Sequence, residues 1–304
     1  MAEQAKIYWI HALTPVHVGS GEGAGFIDLP VMREKHTNWP FIPGSSVKGV
    51  LADSYGASGD GRKNDAMLRA AFGVEDSDES SSGNAGSLVF SDARLVCLPV
   101  RSLYGTFAWV TTALALNRLR RDLMEAGLGE KLAEVSGPAS DEGLQVPTGV
   151  TTLLASAGKI YFNDLDFKVE ENAVAATWGA ELAKWLFPDE EVWRGDFQSR
   201  FAIVSDTVFN HLSETATEVC PRIRISPEKK IVADGALWYE ESLPAETVAA
   251  GLVWCDRVYA KDAAAAKDAV KPKVLLDKFC STARRLQIGG KASVGRGRVR
   301  CLFS

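Results

Sequence analysis

Apolar residues recur along the chain with two periods, one near two and one near 3.6, and the switches between them predict interleaved strands and helices. Lys6 to Leu13 alternates as a first strand, with His11 as a packed or surface histidine. Pro43-Gly44-Ser45-Ser46 followed by Val47, Val50 and Leu51 has the form of a turn, an N-cap hydroxyl and a helix. Leu88 to Phe90 and Arg94 to Val100 follow as strands with Asp92 in the turn between them. From Leu103 the spacing of Phe107, Val110 and Leu114, continued by Leu116, Leu119 and Leu123, predicts a long core helix with Arg118, Arg120 and Arg121 on its flank. Gly127 to Gly149 predicts a loop, Lys159 to Phe167 a strand, and Trp178, Leu182 and Trp185 a short helix. Asp206 is placed to cap a helix bearing Phe209, Leu212, Ala216 and Val219. Arg222 to Ile225 and Gly235 to Glu240 then predict a hairpin with one basic face, joined through Ser226 to Asp234. Leu275, Phe279, Ala283 and Leu286 mark a last helix, and Val299 to Phe303 a last strand. Glu75 to Gly86, acidic and serine-rich, reads as a mobile surface loop.

Composition narrows the classes. With 304 residues and 46% hydrophobic content the chain can bury a large core, as one domain with insertions or as two. Its 34 basic and 39 acidic residues give a net charge of −5, which argues against a non-specific nucleic-acid binder but leaves room for a local basic track. The five cysteines (Cys97, Cys220, Cys255, Cys280, Cys301) are widely spaced and read as reduced thiols of a cytoplasmic protein, with no zinc knuckle or disulfide framework. Met1 to Ile10 carries no signal pattern, and no apolar run approaches a membrane span.

Candidate chemistry concentrates in Val16 to Leu51. Gly19-Ser20-Gly21 and Ala24 satisfy a lax dinucleotide fingerprint, but Phe26 to Pro30 follows where a helix is required, and no Walker loop occurs. Asp28, framed by Phe26, Ile27, Leu29 and Pro30, is either a turn carboxylate or a functional group on a stiff extended segment. Lys48, in the first turn of the predicted helix, is either an exposed lysine or part of a phosphate site at a helix N-terminus. Near the other end of the sequence, Arg284 to Arg300 holds six basic residues and no acid among several glycines, a composition suited to close approach of phosphates.

The series His17-Val18-Gly19, Ile27-Asp28-Leu29-Pro30, Arg33-Glu34-Lys35 and Pro40 to Gly49 resembles the amino-terminal signature of the RAMP superfamily of CRISPR effector proteins. Pro99 to Thr111 and Gly235 to Pro244 resemble the backbone subunits of the type III-B (Cmr) branch rather than type III-A (Csm). The resemblance runs nearly end to end. It implies an α+β, ferredoxin-like core with helical insertions, forming a single RAMP domain over 1–304. The core would come from Lys6 to Leu51, Leu88 to Val100, Gly251 to Tyr259 and Val274 to Phe303, with a thumb-like hairpin insertion at about 206–245 and a glycine-rich signature loop before the last strand.

The function implied by that resemblance is a crRNA-binding backbone that oligomerises as a helical filament with other Cmr subunits and cuts complementary target RNA at regular intervals. Asp28 matches the family's catalytic acid and would either bind a divalent metal, Mg²⁺ or Mn²⁺, or assist proton transfer, with His17 as the nearest acid–base candidate and Glu240 and Glu241 behind it. Ser45, Ser46, Lys48, Arg101, Arg222, Arg224, Lys291, Arg296 and Arg298 are the candidate RNA contacts. Two departures stand out: relatives carry an arginine near Ala52, and Ser226 to Lys230 lacks the usual polar thumb turn. The alternatives are a non-catalytic crRNA-binding scaffold and a guide-processing RNase of the same superfamily.

Overall fold

The computed structural model describes residues 5–21, 23, 25–56, 65–74, 83–225, 232–259 and 270–304. In chain order its longer elements begin with β1 (Ala5–Ala12), α1 (Gly44–Ser54), α2 (Ala66–Phe72), β2 (Ala93–Arg101), β3 (Phe107–Thr112) and α3 (Ala113–Glu125). They continue through β4 (Gly143–Pro147), β5 (Lys159–Phe162), β6 (Leu165–Asn172), α4 (Ala173–Leu186), α5 (Glu191–Ser199), β7 (Phe201–Val204) and α6 (Asp206–Thr215). The last are β8 (Glu218–Ile225), β9 (Val232–Ser242), β10 (Val248–Trp254), α7 (Pro272–Phe279), β11 (Arg284–Gln287) and β12 (Arg298–Phe303).

The strands β12–β1–β10–β2 lie side by side and antiparallel, and with α1 after β1 and α7 after β10 they make the βαββαβ order of a ferredoxin-like core. Both faces of this sheet are covered. Tyr8, Ile10 and Ala12 of β1 pack with Val47 and Leu51 of α1 and Leu275 and Phe279 of α7. Ile7 and Trp9 face the other way, against Leu116 of α3 and Trp178 and Leu182 of α4. Burial of both side-chain rows makes β1 apolar beyond simple alternation.

Beyond β2 the sheet continues through β3, β7, β4, β6 and β5, and beyond β12 it ends at β11. Several expectations are corrected here. The predicted helix from Leu103 is a turn and then β3. Gly105 and Thr106 adopt positive φ (70° and 75°), which ends any helix there, and Phe-Ala-Trp-Val-Thr-Thr suits a strand slotted between β2 and β7. Only Ala113–Glu125 is helical. Within the predicted 127–149 loop, β4 is buried at every residue and pairs parallel with β6, a setting that erases period-two patterning. Lys159 to Phe167 is two strands folded at Asn163, whose φ is 49°. The last predicted helix stops at Phe279, and Arg284–Gln287 pairs with β12. The fourteen-residue α4 is longer than the short helix expected, and Ser205 rather than Asp206 caps α6.

The β8–β9 hairpin forms its own two-stranded sheet after α6, within the stretch where the thumb was expected. The thumb turn at Ser226 to Lys230 lies outside the described residues. So does 75–82 of the predicted acidic loop, whose end, Asn84–Ala85, pairs with Gly73–Val74. No helix among the described residues is long and apolar enough to cross a membrane. All five cysteines are free; Cys97, Cys255, Cys280 and Cys301 are buried, and burial raises each of these four thiols above its ordinary range.

The entry to α1 also differs from its reading. Pro43 occupies the N-cap position without a side-chain cap, and the Gly44 N–H donates 2.9 Å to Asp92 Oδ1. A Cβ at Gly44 would lie 2.4 Å from the carbonyl oxygens of Phe90 and Ser91, so the helix start fits only as glycine. Gly44→Ala is expected to cost roughly 1–3 kcal/mol through forced backbone displacement, read as a fall of several degrees in the thermal midpoint.

Candidate active site

The site is built on one strand edge. Pro221 of β8 stands opposite Tyr239 of β9, and proline, lacking an N–H, is tolerated where the ladder asks for none. Tyr239 therefore turns its own N–H and C=O away from β8. Asp28 Oδ2 accepts that N–H at 2.8 Å, and Leu29 N–H donates 3.1 Å to the Tyr239 carbonyl. The Glu241 N–H closes the run on the Leu29 carbonyl at 3.0 Å, making a short parallel pairing of the 28–29 segment with β9. Asp28 is exposed, and one of its carboxylate oxygens is held in place by a backbone donor.

Glu241 locks this arrangement from beneath. Its buried carboxylate accepts the Val31 N–H at 3.0 Å, the Arg33 guanidinium at 2.5 Å and the Thr217 hydroxyl at 2.9 Å. Arg33 also donates to the carbonyls of Asn38 and Ser213, so one ion pair ties the segment after Asp28 to α6 and the hairpin root. The Glu241 carbonyl in turn accepts His17 Nδ1–H at 2.6 Å, which fixes that tautomer of a buried ring. The His17 ring sits under Gly19, where a Cβ would approach its Nε2 to 2.9 Å. The His17 carbonyl accepts the Gly290 N–H at 2.9 Å, and a Cβ at Gly289 would lie 2.1 Å from that same oxygen. His17 thus clamps the first glycine loop, the glycine-rich loop before β12 and the hairpin together.

Glu240 does related work on the other side of β9. Buried, it receives Lys291 Nζ at 2.7 Å, Trp238 Nε1 at 2.8 Å and Arg222 Nε at 3.2 Å. Burial alone would raise its pKa, but the hydrogen bonds from Lys291, Trp238 and Arg222 and the Lys291 charge outweigh burial and bring it down to about 2. Lys291 reaches it from a left-handed backbone conformation, φ 66°. Arg296 of the same loop pairs with Glu218 of β8 at 3.3 Å.

The remaining predicted RNA contacts are dispersed. Ser45 is exposed and Ser46 half-buried at the start of α1, where Asp92 already supplies a negative partner to Gly44. Lys48 is half-buried and donates 2.7 Å to the Leu88 carbonyl. Ala52 is fully buried, leaving no room for an arginine at that position. Arg101, Arg224 and Arg298 are exposed, at the end of β2, on the hairpin and at the start of β12. The outer row of the hairpin, expected to be one face of a basic element, presents Ile223, Leu237 and Tyr239 to solvent, while Arg222 turns inward to Glu240. Among the described residues no group of three or more His, Cys, Asp or Glu side chains is placed to hold a metal. Asp28 fits as one ligand of an ion held otherwise by RNA oxygens and water. Glu241, Arg33 and Asp92 carry the positioning that the sequence left indistinct.

This constellation is a ferredoxin-like core with a carboxylate bonded to the edge of a separate β-hairpin and a glycine loop packed beneath it. The RAMP superfamily model matches residues 9–300, and the chain belongs to that superfamily. It is 34% identical over 305 residues to the CRISPR system Cmr endoribonuclease Cmr4 of Pyrococcus furiosus, covering 98% of this chain and 95% of that protein. The CMR subunit Cmr4 of Saccharolobus solfataricus is 24% identical, over 97% and 94% of the two chains. The crystal structure of oligomeric Cmr4 from Pyrococcus furiosus shares the fold with a TM-score of 0.71 at 24% identity, over 99% of this chain and 98% of that one. A chain of the type III-B Cmr-beta complex bound to cognate target RNA does so with a TM-score of 0.68 at 20% identity, over 99% and 98%.

Two consequences are measurable. Because the folded pKa of Glu240 is depressed, its contribution is complete above the unfolded value of about 4.3 and is lost as pH falls from there toward 2, a difference of about 3 kcal/mol. The gap in thermal midpoint between wild type and Glu240→Gln should therefore shrink as pH is lowered from 5 to 2.5. Arg33→Ala leaves Glu241 buried without its cation and should destabilise the fold by roughly 3–5 kcal/mol in urea titration.

Proposed function

We propose that this chain is the backbone subunit of a type III-B CRISPR effector, with copies aligned along a crRNA and each cutting the paired target RNA at its own Asp28. The observation that carries the reading is the exposed Asp28 carboxylate held against the hairpin by Tyr239 N–H, in a chain 34% identical over nearly its full length to a Cmr endoribonuclease. Base pairing supplies sequence choice, and the protein reads phosphates and shape. The partners are crRNA, target RNA, other Cmr subunits and further copies of the chain in a helical filament, in the cytoplasm.

In this reading the hairpin opens the guide–target duplex, and its exposed Ile223, Leu237 and Tyr239 face the splayed bases. The free oxygen of Asp28 receives the 2′-hydroxyl hydrogen bond, which aligns that oxygen with the adjacent phosphate. Asp28 together with RNA oxygens and water would hold a divalent cation, Mg²⁺ or Mn²⁺, whose charge would offset that of the phosphate. His17 and Glu240 act as positioning residues, since the Nδ1 of one and the carboxylate of the other are already engaged within the protein. Lys291 and Arg296 hold the glycine-rich loop in shape, and Arg298 and Arg224 offer their charge to the backbone.

The test is target-RNA cleavage by the reconstituted complex. Asp28→Asn should lower the cleavage rate by about 100-fold or more and leave target binding in a gel shift unchanged. Cleavage that persists at the wild-type rate would make the chain a non-catalytic scaffold.

A further inference from the structure

Beyond α6 from the hairpin root lies a groove of about 770 Å³ lined by Arg101, Asn163, Asp164, His211 and Thr215, with Leu103 at its rim. One side of α6 is bonded to the segment after Asp28: Trp39 Nε1 donates to Asn210 Oδ1 at 2.6 Å, and Asn38 Nδ2 to Glu214 Oε1 at 2.8 Å. His211, Leu212 and Thr215 of the same helix, on the adjoining face, form the groove wall.

Its one arginine is uncommitted. Arg33, Arg94, Arg118, Arg222, Arg296 and Arg300 all face carboxylates. Among the described residues the Arg101 guanidinium and the His211 ring have no such partner, and both are exposed. Next in sequence to Leu103 of the lining, Tyr104 is 41% exposed and stands 6.3 Å from Tyr161, ring centre to ring centre. Asp164 is the single acid of the lining. Polar walls, free N–H donors and an aromatic step match single-stranded nucleic acid better than the apolar centre of a protein interface.

The sheet places this groove in line with the other free cations. His11 pairs with Arg300 and with Val248, and Val248 with Cys97, so the start of β12 and the end of β2 lie at one end of the sheet. Arg298 and Arg101 are separated across it by three strand spacings, about 14 Å. Asp28 and the hairpin root stand at that same end, joined to β1 through the Val16 bridge to Leu243.

We infer that the Arg101–His211 groove is a second RNA-contact surface, in which a phosphodiester of single-stranded RNA bonds Arg101 and His211 while a neighbouring base stacks on Tyr104. The inference rests on the RNA-binding reading above and adds a separate place for the strand beyond the hairpin.

The full-length chain is titrated with a fluorescein-labelled, uridine-rich 20-nucleotide RNA at several salt concentrations, as wild type and as Arg101→Ala, Arg101→Lys, Tyr104→Ala and Arg298→Ala. Arg101→Ala should weaken binding by roughly three- to tenfold and lower the slope of log K against log salt by about 0.7, with Arg101→Lys restoring the slope. Tyr104→Ala should weaken binding with the slope unchanged, and 4-thiouridine RNA should crosslink to the peptide containing Tyr104. A loss with Arg298→Ala but none with Arg101→Ala, together with crosslinks confined to the hairpin and glycine loop, would overturn the groove and leave the RNA reading standing. No loss with either variant would remove both. An Arg101→Ala effect on self-association alone, with RNA binding and its slope intact, would also overturn it in favour of a protein contact.

Discussion

The candidate site depends on a strand edge that its own hairpin leaves unpaired. Tyr239 presents an N–H and a C=O that β8 does not use, and the 28–29 segment takes both, one through the Asp28 side chain and one through the Leu29 backbone. An unpaired strand edge is ordinarily an invitation to another chain. Here it is the ruler against which a carboxylate is set. Glu241 and His17 brace that setting by joining the same strand to the segment after Asp28 and to the two glycine loops, so the acid, the hairpin and the loop before β12 are bonded into one unit.

The glycines take on a different meaning in this light. From composition they read as room for phosphates. Gly289 and Gly297 instead make room for protein: a side chain at either would collide with the backbone of His17 or Ile288. The same holds for Gly44 at the start of α1. Backbone approach that looks like ligand accommodation in a sequence is, at these three positions, internal packing.

Much of the fold was legible because its local signals agreed. β1, the Pro-Gly entry to α1, the Asp92 turn, the hairpin and the final strand were all readable, and together they outline the βαββαβ core. The readings that failed share a cause. β3 and β4 are short strands buried on both faces, so their apolar runs carry no period, and Phe107 to Thr112 fell by chance onto a helical spacing. For the site, Asp28 stood out through its apolar frame, whereas its support did not. Arg33 meets Glu241 across 208 positions and Gly44 meets Asp92 across 48, and single-residue patterns say nothing of partners so far apart. Composition likewise counts cations without revealing which are already neutralised: Lys291, Arg296 and Arg222 looked available and are engaged, while Arg101, Arg224 and Arg298 remain exposed.

Pro221 makes the strand edge self-checking. If β8 slipped by one residue along β9, proline would enter a slot where the ladder requires an N–H, at the cost of a ladder bond. The proline therefore favours the register in which Tyr239 keeps its N–H and C=O on the edge that Asp28 and Leu29 use. Correct pairing of two strands thereby keeps open the edge on which one acid is aimed.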